Sequence, residues 1–255
     1  MGNSKALSKF HFDAEELVSE AAQLPTVHVD REKYLRSQFD QYCNEEELEL
    51  IVQKGPGAAG MSARRINQLA LSSIAHETAL VSALSAAAGL PGGWALAWTI
   101  PADITQYHGA MLRISQKLAY MHGWPELFEN KSEKMDDDTK GVMMVFLATM
   151  YGIKGAATSL ASFSSLFSTH IEKSLFNAAL TKGSFYPAFK EAAKHVGIKI
   201  NKSVFSKGVS KLIPIAGAII SGTVTMVTFR KMSLTLHKHL GQMERNKKRA
   251  LRTAQ

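Results

Sequence analysis

The chain has 255 residues, is 45% hydrophobic and 20% charged, and carries 30 Lys and Arg against 22 Asp and Glu. That length and apolar content suffice to bury a core and exclude intrinsic disorder as a class. The charge is divided unevenly: through Lys140 there are 13 cations and 19 carboxylates, a balance of −6, and beyond it 17 and 3, a balance of +14. Such asymmetry predicts that the two halves attract one another or that the second meets an anionic partner, phospholipid headgroups or nucleic acid, with a solvated basic face as the plain alternative. Cys43 is the single cysteine, which excludes an intrachain disulfide and points to a reducing cytosol. Residues 1–20 lack the apolar core of a signal peptide, and Glu15, Glu16 and Glu20 argue against a transit peptide. Gly2 opens something like a myristoylation signal, but Ala6 stands where Ser or Thr is required.

Helix start signals recur along the chain. Asp13 with Glu16, Asn44 with Glu47, and Ser62 each set a capping side chain before a helix. Pro25, Gly55 and Gly123 supply stops, and no strand alternation bounded by turns stands out. The expected fold is all-α, a multi-helix bundle with two Pro/Gly-broken apolar helical hairpins. The predicted helices span residues 13–24, 30–42, 44–54 and 62–88, then, after a short Trp-bearing leg, one with Pro101 in its first turn that runs to His122. A charged connector over 131–140 precedes helices over 141–153 and 155–180, a Lys-rich region over 182–211, and a helix entered at Pro214. Residues 1–60 read as acidic N-terminal helices and 61–255 as a helical domain, together one compact unit.

The two hairpins are the most telling feature. Residues 78–102 hold no charged side chain but are interrupted by Pro91-Gly92-Gly93, and the uncharged residues 212–229 are interrupted by Pro214, Gly217 and Gly222. Residues 79–90 would make a helix of about 18 Å at 1.5 Å per residue, too short for a bilayer core of about 30 Å. Their Ala and Ser content favours a buried or re-entrant hairpin over two full spans. Trp94 and Trp98, one turn apart, suit an interfacial anchor or, equally, a core. The spacing of Gly217 with Ser221 and of Ala218 with Gly222 would let helix backbones approach closely.

Several motifs fail on their context. Gly55-Pro56-Gly57-Ala58-Ala59-Gly60 matches a dinucleotide fingerprint in form, but no second strand follows the helix, so no βαβ unit forms and a Gly-rich interhelical loop is expected. The same loop lacks a phosphate-pairing Lys, Met61 standing in its place. His76-Glu77 begins like a zinc-protease helix but Leu80 occupies the second ligand position. Asp136, Asp138 and Gly141 echo a calcium loop that Lys140 and Leu147 spoil. His237 and His239, two apart on a helix, do not share a face. No metal, cofactor or catalytic set is expected. On the helix after Pro101, Asp103, Gln106, Ala110, Arg113 and Lys117 form a polar stripe opposite Ile104, Tyr107, Met111, Ile114 and Leu118. Asp103, Gln106, Arg113 and Lys117 are the candidate ligand-binding residues, although a dipole-stabilised Asp103 also explains itself.

Ala86-Ala87-Ala88-Gly89-Leu90-Pro91-Gly92-Gly93, Pro101-Ala102-Asp103, and Leu112-Arg113-Ile114 with Lys117-Leu118-Ala119-Tyr120 and Gly123 resemble the first signature region of the bacterial EcsC protein family. Residues 211–222, from Lys211-Leu212-Ile213-Pro214 to Ser221-Gly222, resemble its second, with Thr225 where the family commonly carries Asn. The resemblance covers about a third of the chain. It implies a bacterial, mostly helical protein, named from an operon that also encodes an ABC transporter, with no established catalytic activity and no catalytic residues to transfer. The pigment vinyl-reductase label borne by some similar chains finds no support in these residues. The resulting expectation is a non-enzymatic protein in the cytoplasm, peripheral or re-entrant at the inner membrane, regulating or protecting membrane machinery. Trp94, Trp98, Lys247, Lys248, Arg249 and Arg252 would contact anionic lipid. A membrane-protein partner is compatible with this reading; nucleic acid is not favoured, because no aromatics interleave with the cations. The second expectation is a soluble small-ligand binder or enzyme with a cavity between the broken helices.

Overall fold

In the computed structural model, residues 14–88, 96–128, 137–153, 155–167 and 222–253 are described. They form helices α1 (Ala14–Ala22), α2 (Arg31–Phe39), α3 (Glu45–Lys54), α4 (Ala63–Ala88), α5 (Leu96–Met121), α6 (Asp137–Met150), α7 (Ala156–Phe167) and α8 (Gly222–Thr253). A single 3-10 turn, Asp40–Tyr42, extends α2, and there is no strand among the described residues. The chain is thus an all-α, multi-helix bundle.

Local chemistry accounts for most helix ends. Asp30 accepts from the Lys33 amide at the start of α2, and Asn44 and Glu47 close a reciprocal capping box at the start of α3. The Ser62 hydroxyl accepts from the Arg65 amide at the start of α4. Helix α5 ends with Gly123 at φ +79°, the Trp124 amide reaching back to Ala119 and the Gly123 amide to Tyr120. This is the glycine-terminated motif that satisfies a helix's last carbonyls. Gly152 closes α6 in the same way, through Ile153 to Ala148 and Gly152 to Thr149.

Helix α6 occupies the middle. Every residue from 141 to 150 is buried, and the helix touches α1, α5, α7 and α8. A helix that is apolar all round, as Val142 to Ala148 is, satisfies its surface only when neighbours cover every side. Helix α5 is nearly as enclosed: on its second half only Arg113 and Lys117 are part-exposed. The amphipathic stripe expected there is therefore narrower than its sequence pattern, since Ala110, Ser115 and Gln116 are buried too. Gln116 stitches the 23–29 connection to α5, giving its amide N–H groups to the Val27 and Leu112 carbonyls and accepting from the Val29 amide. Arg31 does the same for the end of α5, donating to the Trp124 and Val52 carbonyls while its own amide meets Glu126.

Helices α4 and α5 pack on one another in opposite directions, as the uncharged run predicts of a hairpin: Glu77 faces Arg113 and Lys117, while Asn67, ten residues earlier, shares His237 with His122. The Pro91-Gly92-Gly93 turn lies outside the described residues, as do Trp94, Pro214, Gly217 and the Lys-rich region. Two helix starts differ from expectation. Pro101 falls inside α5, because the Trp-bearing leg is itself helical from Leu96. So close to the helix start, proline removes only the N–H that would reach Ala97. The charged connector likewise gives its last residues to α6, which begins at Asp137.

Gly55, the first glycine of the loop after α3, is required by packing. A Cβ on Gly55, at φ +84°, would lie 2.6 Å from the Gly123 Cα, so the two glycine backbones must meet without side chains. The loop joins two helices, and the nucleotide fingerprint has no strand to stand on.

Candidate functional site

Two polar clusters lie at different heights of the α4–α5 pair. In the first, Glu77 is 1% exposed and carries two cations. Arg113 donates from Nε at 2.8 Å and Nη2 lies 2.7 Å from the same oxygen, while Lys117 Nζ reaches the other at 2.7 Å. Arg113 also donates to the Thr26 carbonyl, and beside the group the Tyr34 and Ser73 hydroxyls bond at 2.7 Å. Burial pushes the Glu77 carboxyl up, but the Arg113 and Lys117 hydrogen bonds outweigh it and hold it below its ordinary value. Each carboxylate oxygen is held by charged donors, an arrangement suited to fixing helices rather than to taking a proton.

The second cluster runs in a line. Glu244 Oε2 is 2.9 Å from His122 Nδ1, His122 Nε2 is 3.1 Å from His237 Nδ1, and His237 Nε2 is 2.8 Å from Asn67 Oδ1. His122 comes just after α5, Asn67 from the start of α4, and His237 and Glu244 from α8. Burial first, then the charges of His122 and Arg245, lowers His237 to about 4. The chain of groups walls a cavity of ≈ 350 Å³ whose other sides include Ile66, Leu234, Lys238 and Arg245. Gly241 forms part of the wall: a Cβ there would touch both His122 and the Arg245 guanidinium at 3.4 Å.

A third surface adjoins the cavity through Leu234 and Lys238. It is a groove of ≈ 430 Å³ along α8, lined by Met226, Val227 and Leu234 with Arg230, Lys231 and Lys238. Met226 is 46% and Val227 61% exposed, and the three cations face solvent.

Of the candidate ligand-binding residues, Arg113 and Lys117 come together, but on Glu77. Gln106 is exposed, and the Asp103 side chain lies outside the described residues. Among the candidate membrane contacts, Lys247 and Arg249 are exposed on α8; Trp94 and the side chains of Trp98, Lys248 and Arg252 lie outside the described residues. His237 and His239 do diverge, the latter bonding its own helix at Thr235. The pairing of His122 with His237 has no signal in the sequence, being 115 positions apart. Glu77 did carry one: a lone carboxylate within a long uncharged stretch of an apolar helix, opposite two cations one turn apart.

No group of three His, Cys, Asp or Glu among the described residues is arranged to hold a metal ion, and the imidazoles bond one another rather than converge on a point. No described helix is long and apolar enough to cross a membrane. No family model matches the chain, and neither a curated protein nor a solved structure matches it.

Proposed function

We propose that this chain is a non-enzymatic helical protein that docks on an anionic membrane surface through α8 and there regulates or protects membrane machinery. One observation carries the reading: α8 holds Met226, Val227 and Leu234 in an open groove edged by Arg230, Lys231 and Lys238. An apolar floor within a cationic rim matches the boundary between acyl chains and anionic headgroups. Each cation held near such a surface contributes about 1 kcal/mol, and the exposed Lys247 and Arg249 extend the basic face toward the helix end. The EcsC-like residues around Gly89 to Gly93 and Pro101 to Gly123 agree with a bacterial protein working at the inner membrane.

Flotation of the purified chain with phosphatidylglycerol or phosphatidylcholine vesicles tests it. Binding confined to the anionic vesicles is expected, with release by high salt as the charges are screened. Reversal of Arg230, Lys231 and Lys238 to Glu should abolish flotation, and Val227→Ser should weaken whatever binding resists salt. Absence of flotation with anionic vesicles at low salt would refute the reading. A small-ligand binder is the second reading, and the cavity beside His122 is the observation that favours it.

A further inference from the structure

Helix α4 is held from two sides. It packs chiefly on α5 and α8, Glu77 turning to the first and Asn67 reaching His237 on the second. The side facing neither is open to solvent. Ser72, Ala75, Ala79 and Ala83 are exposed down its middle, about one turn apart, with Leu71 on one flank and Leu80 on the other. Leu80 is 42% and Leu84 58% exposed. Beyond Arg65 the helix carries one acid, the buried Glu77, and no Lys or Arg. The open side is therefore a strip about 20 Å long of small and apolar side chains, with Ser72 and His76 as its polar groups. That is more than the scattered single hydrophobic residues of an ordinary surface.

The charge on α4 is arranged against the helix's own dipole. Arg64 and Arg65 stand in the first turn, where free N–H groups disfavour cations, and the last turn holds no basic residue to meet its free carbonyls. Arg65 lies over the Tyr42 ring and bonds Gln68, but Arg64 is exposed and meets no carboxylate among the described residues. A second α4 laid antiparallel satisfies both ends. With Ala75 opposite the partner's Ala79, Arg64 of each chain falls just beyond Ala88 of the other, within reach of its terminal carbonyls. Alanines at the crossing let the helix axes approach to about 8 Å, the near end of the usual range. The strip also lacks what marks the groove on α8: no Lys or Arg borders its apolar residues, so it suits an uncharged protein surface rather than an anionic headgroup layer.

We infer that the open side of α4 is a self-association surface, through which two copies of this chain pair antiparallel about a two-fold axis, Ala75 of each against Ala79 of the other. Such a contact is isologous, so one strip serves both partners. It covers Leu71 and Leu80 and uses no residue of the α8 groove, and it stands whether or not that helix docks on lipid. A strip one helix wide buries less than the about 800 Å² per partner of a standard interface, which makes the dimer a weak one, with a dissociation constant on the order of 10 µM.

Sedimentation equilibrium of the full chain without lipid, from about 1 to 100 µM, tests the surface. A monomer that becomes a dimer across that range is expected. Ala79→Glu brings a carboxylate into the contact from each chain and should raise the dissociation constant at least about tenfold. Its unfolding midpoint at the lowest concentration should match that of the native chain, because the position is exposed in the monomer. Ala75→Lys should weaken pairing in the same way, and an equimolar mixture of the two variants should dimerise again as lysine meets glutamate. Arg64→Glu should weaken pairing by about threefold or more. A chain still monomeric at the highest concentration, or Ala79→Glu pairing as the native chain does, would overturn the inference, whatever flotation shows. Two other occupants are recognisable and overturn it equally. A monomer that floats with phosphatidylcholine vesicles only while Ala79 is intact gives the strip to lipid, and a monomer whose midpoint falls in Ala79→Glu covers the strip with its own chain.

Discussion

Glu77 and His122 sit on the same helix pair, yet the two clusters around them behave oppositely. Glu77 is a single carboxylate under two permanent cations, so its hydrogen bonds admit one proton arrangement and no alternative. His122 stands between a carboxylate and a second imidazole, where the bond between the two rings can run in either direction. A buried ionic group with fixed donors holds structure together; one whose partners are themselves titratable can answer to pH or to a ligand. Arg36, on the surface of α2, makes the contrast from the other side. It touches Glu32, Glu45 and Glu49, more charged partners than Glu77 has, but in water such pairs contribute little.

The comparison breaks first at Glu77. Glu77→Ala leaves Arg113 and Lys117 facing each other beside a cavity, and should lower unfolding free energy by about 3 kcal/mol in urea denaturation. Because both cations are part-exposed and can turn to water, the lower end of the range for broken buried pairs applies. A loss no greater than that of a surface substitution would show that Glu77 is not a keystone of the α4–α5 contact.

The second effect is a pH dependence. Unfolded, His237 titrates near its ordinary 6.5; folded, it is held at about 4. Between those values the unfolded chain binds the proton and the folded chain does not, so stability falls as pH drops from 6.5 toward 4. The full loss is on the order of 2–3 kcal/mol. Glu77 acts in a lower window: its contribution is whole above 4.5, the ordinary value, and disappears as pH falls below it through the depressed folded value. Thermal melts from pH 4 to 7 should show the upper slope in the native chain and a flatter one in His237→Gln, while an unchanged slope would remove His237 as its origin.

The smallest effect sharpens the distinction between holding and responding. Gly241→Ala adds a methyl group at ordinary contact distance in the cavity wall and replaces a glycine inside a long helix. Stability should rise by about 0.5–1 kcal/mol in chemical denaturation. A variant less stable than the native chain would mean that the added methyl group presses on His122 or Arg245.

Much of the helical layout was legible before any coordinates. Asn44 with Glu47, Ser62 and Gly123 mark helix ends in the sequence, and each acts there, because capping is chemistry between residues three or four apart, while Asp13 lies outside the described residues. Pro101 misled, since a proline tolerated in a first turn is also tolerated a little further in when downstream packing carries the helix. On α5 the sequence shows Arg113 and Lys117 sharing the polar face of an amphipathic helix, a face also suited to a ligand. The residue that claims them is Glu77, and its distance from α5 in the sequence hides the pairing.

Sequence alone therefore determined an all-helical chain, the positions of its caps, the α4–α5 hairpin and the concentration of positive charge in its second half. Those properties follow from local hydrogen bonding, hydrophobic period and composition. Only the tertiary structure decided that Gly55 exists to meet Gly123, that α6 lies at the centre, and that Asn67, His122, His237 and Glu244 form one line beside a cavity. Each of these depends on groups brought together by the folding of helices over one another, and a side chain's partners at such separations leave no periodicity to read.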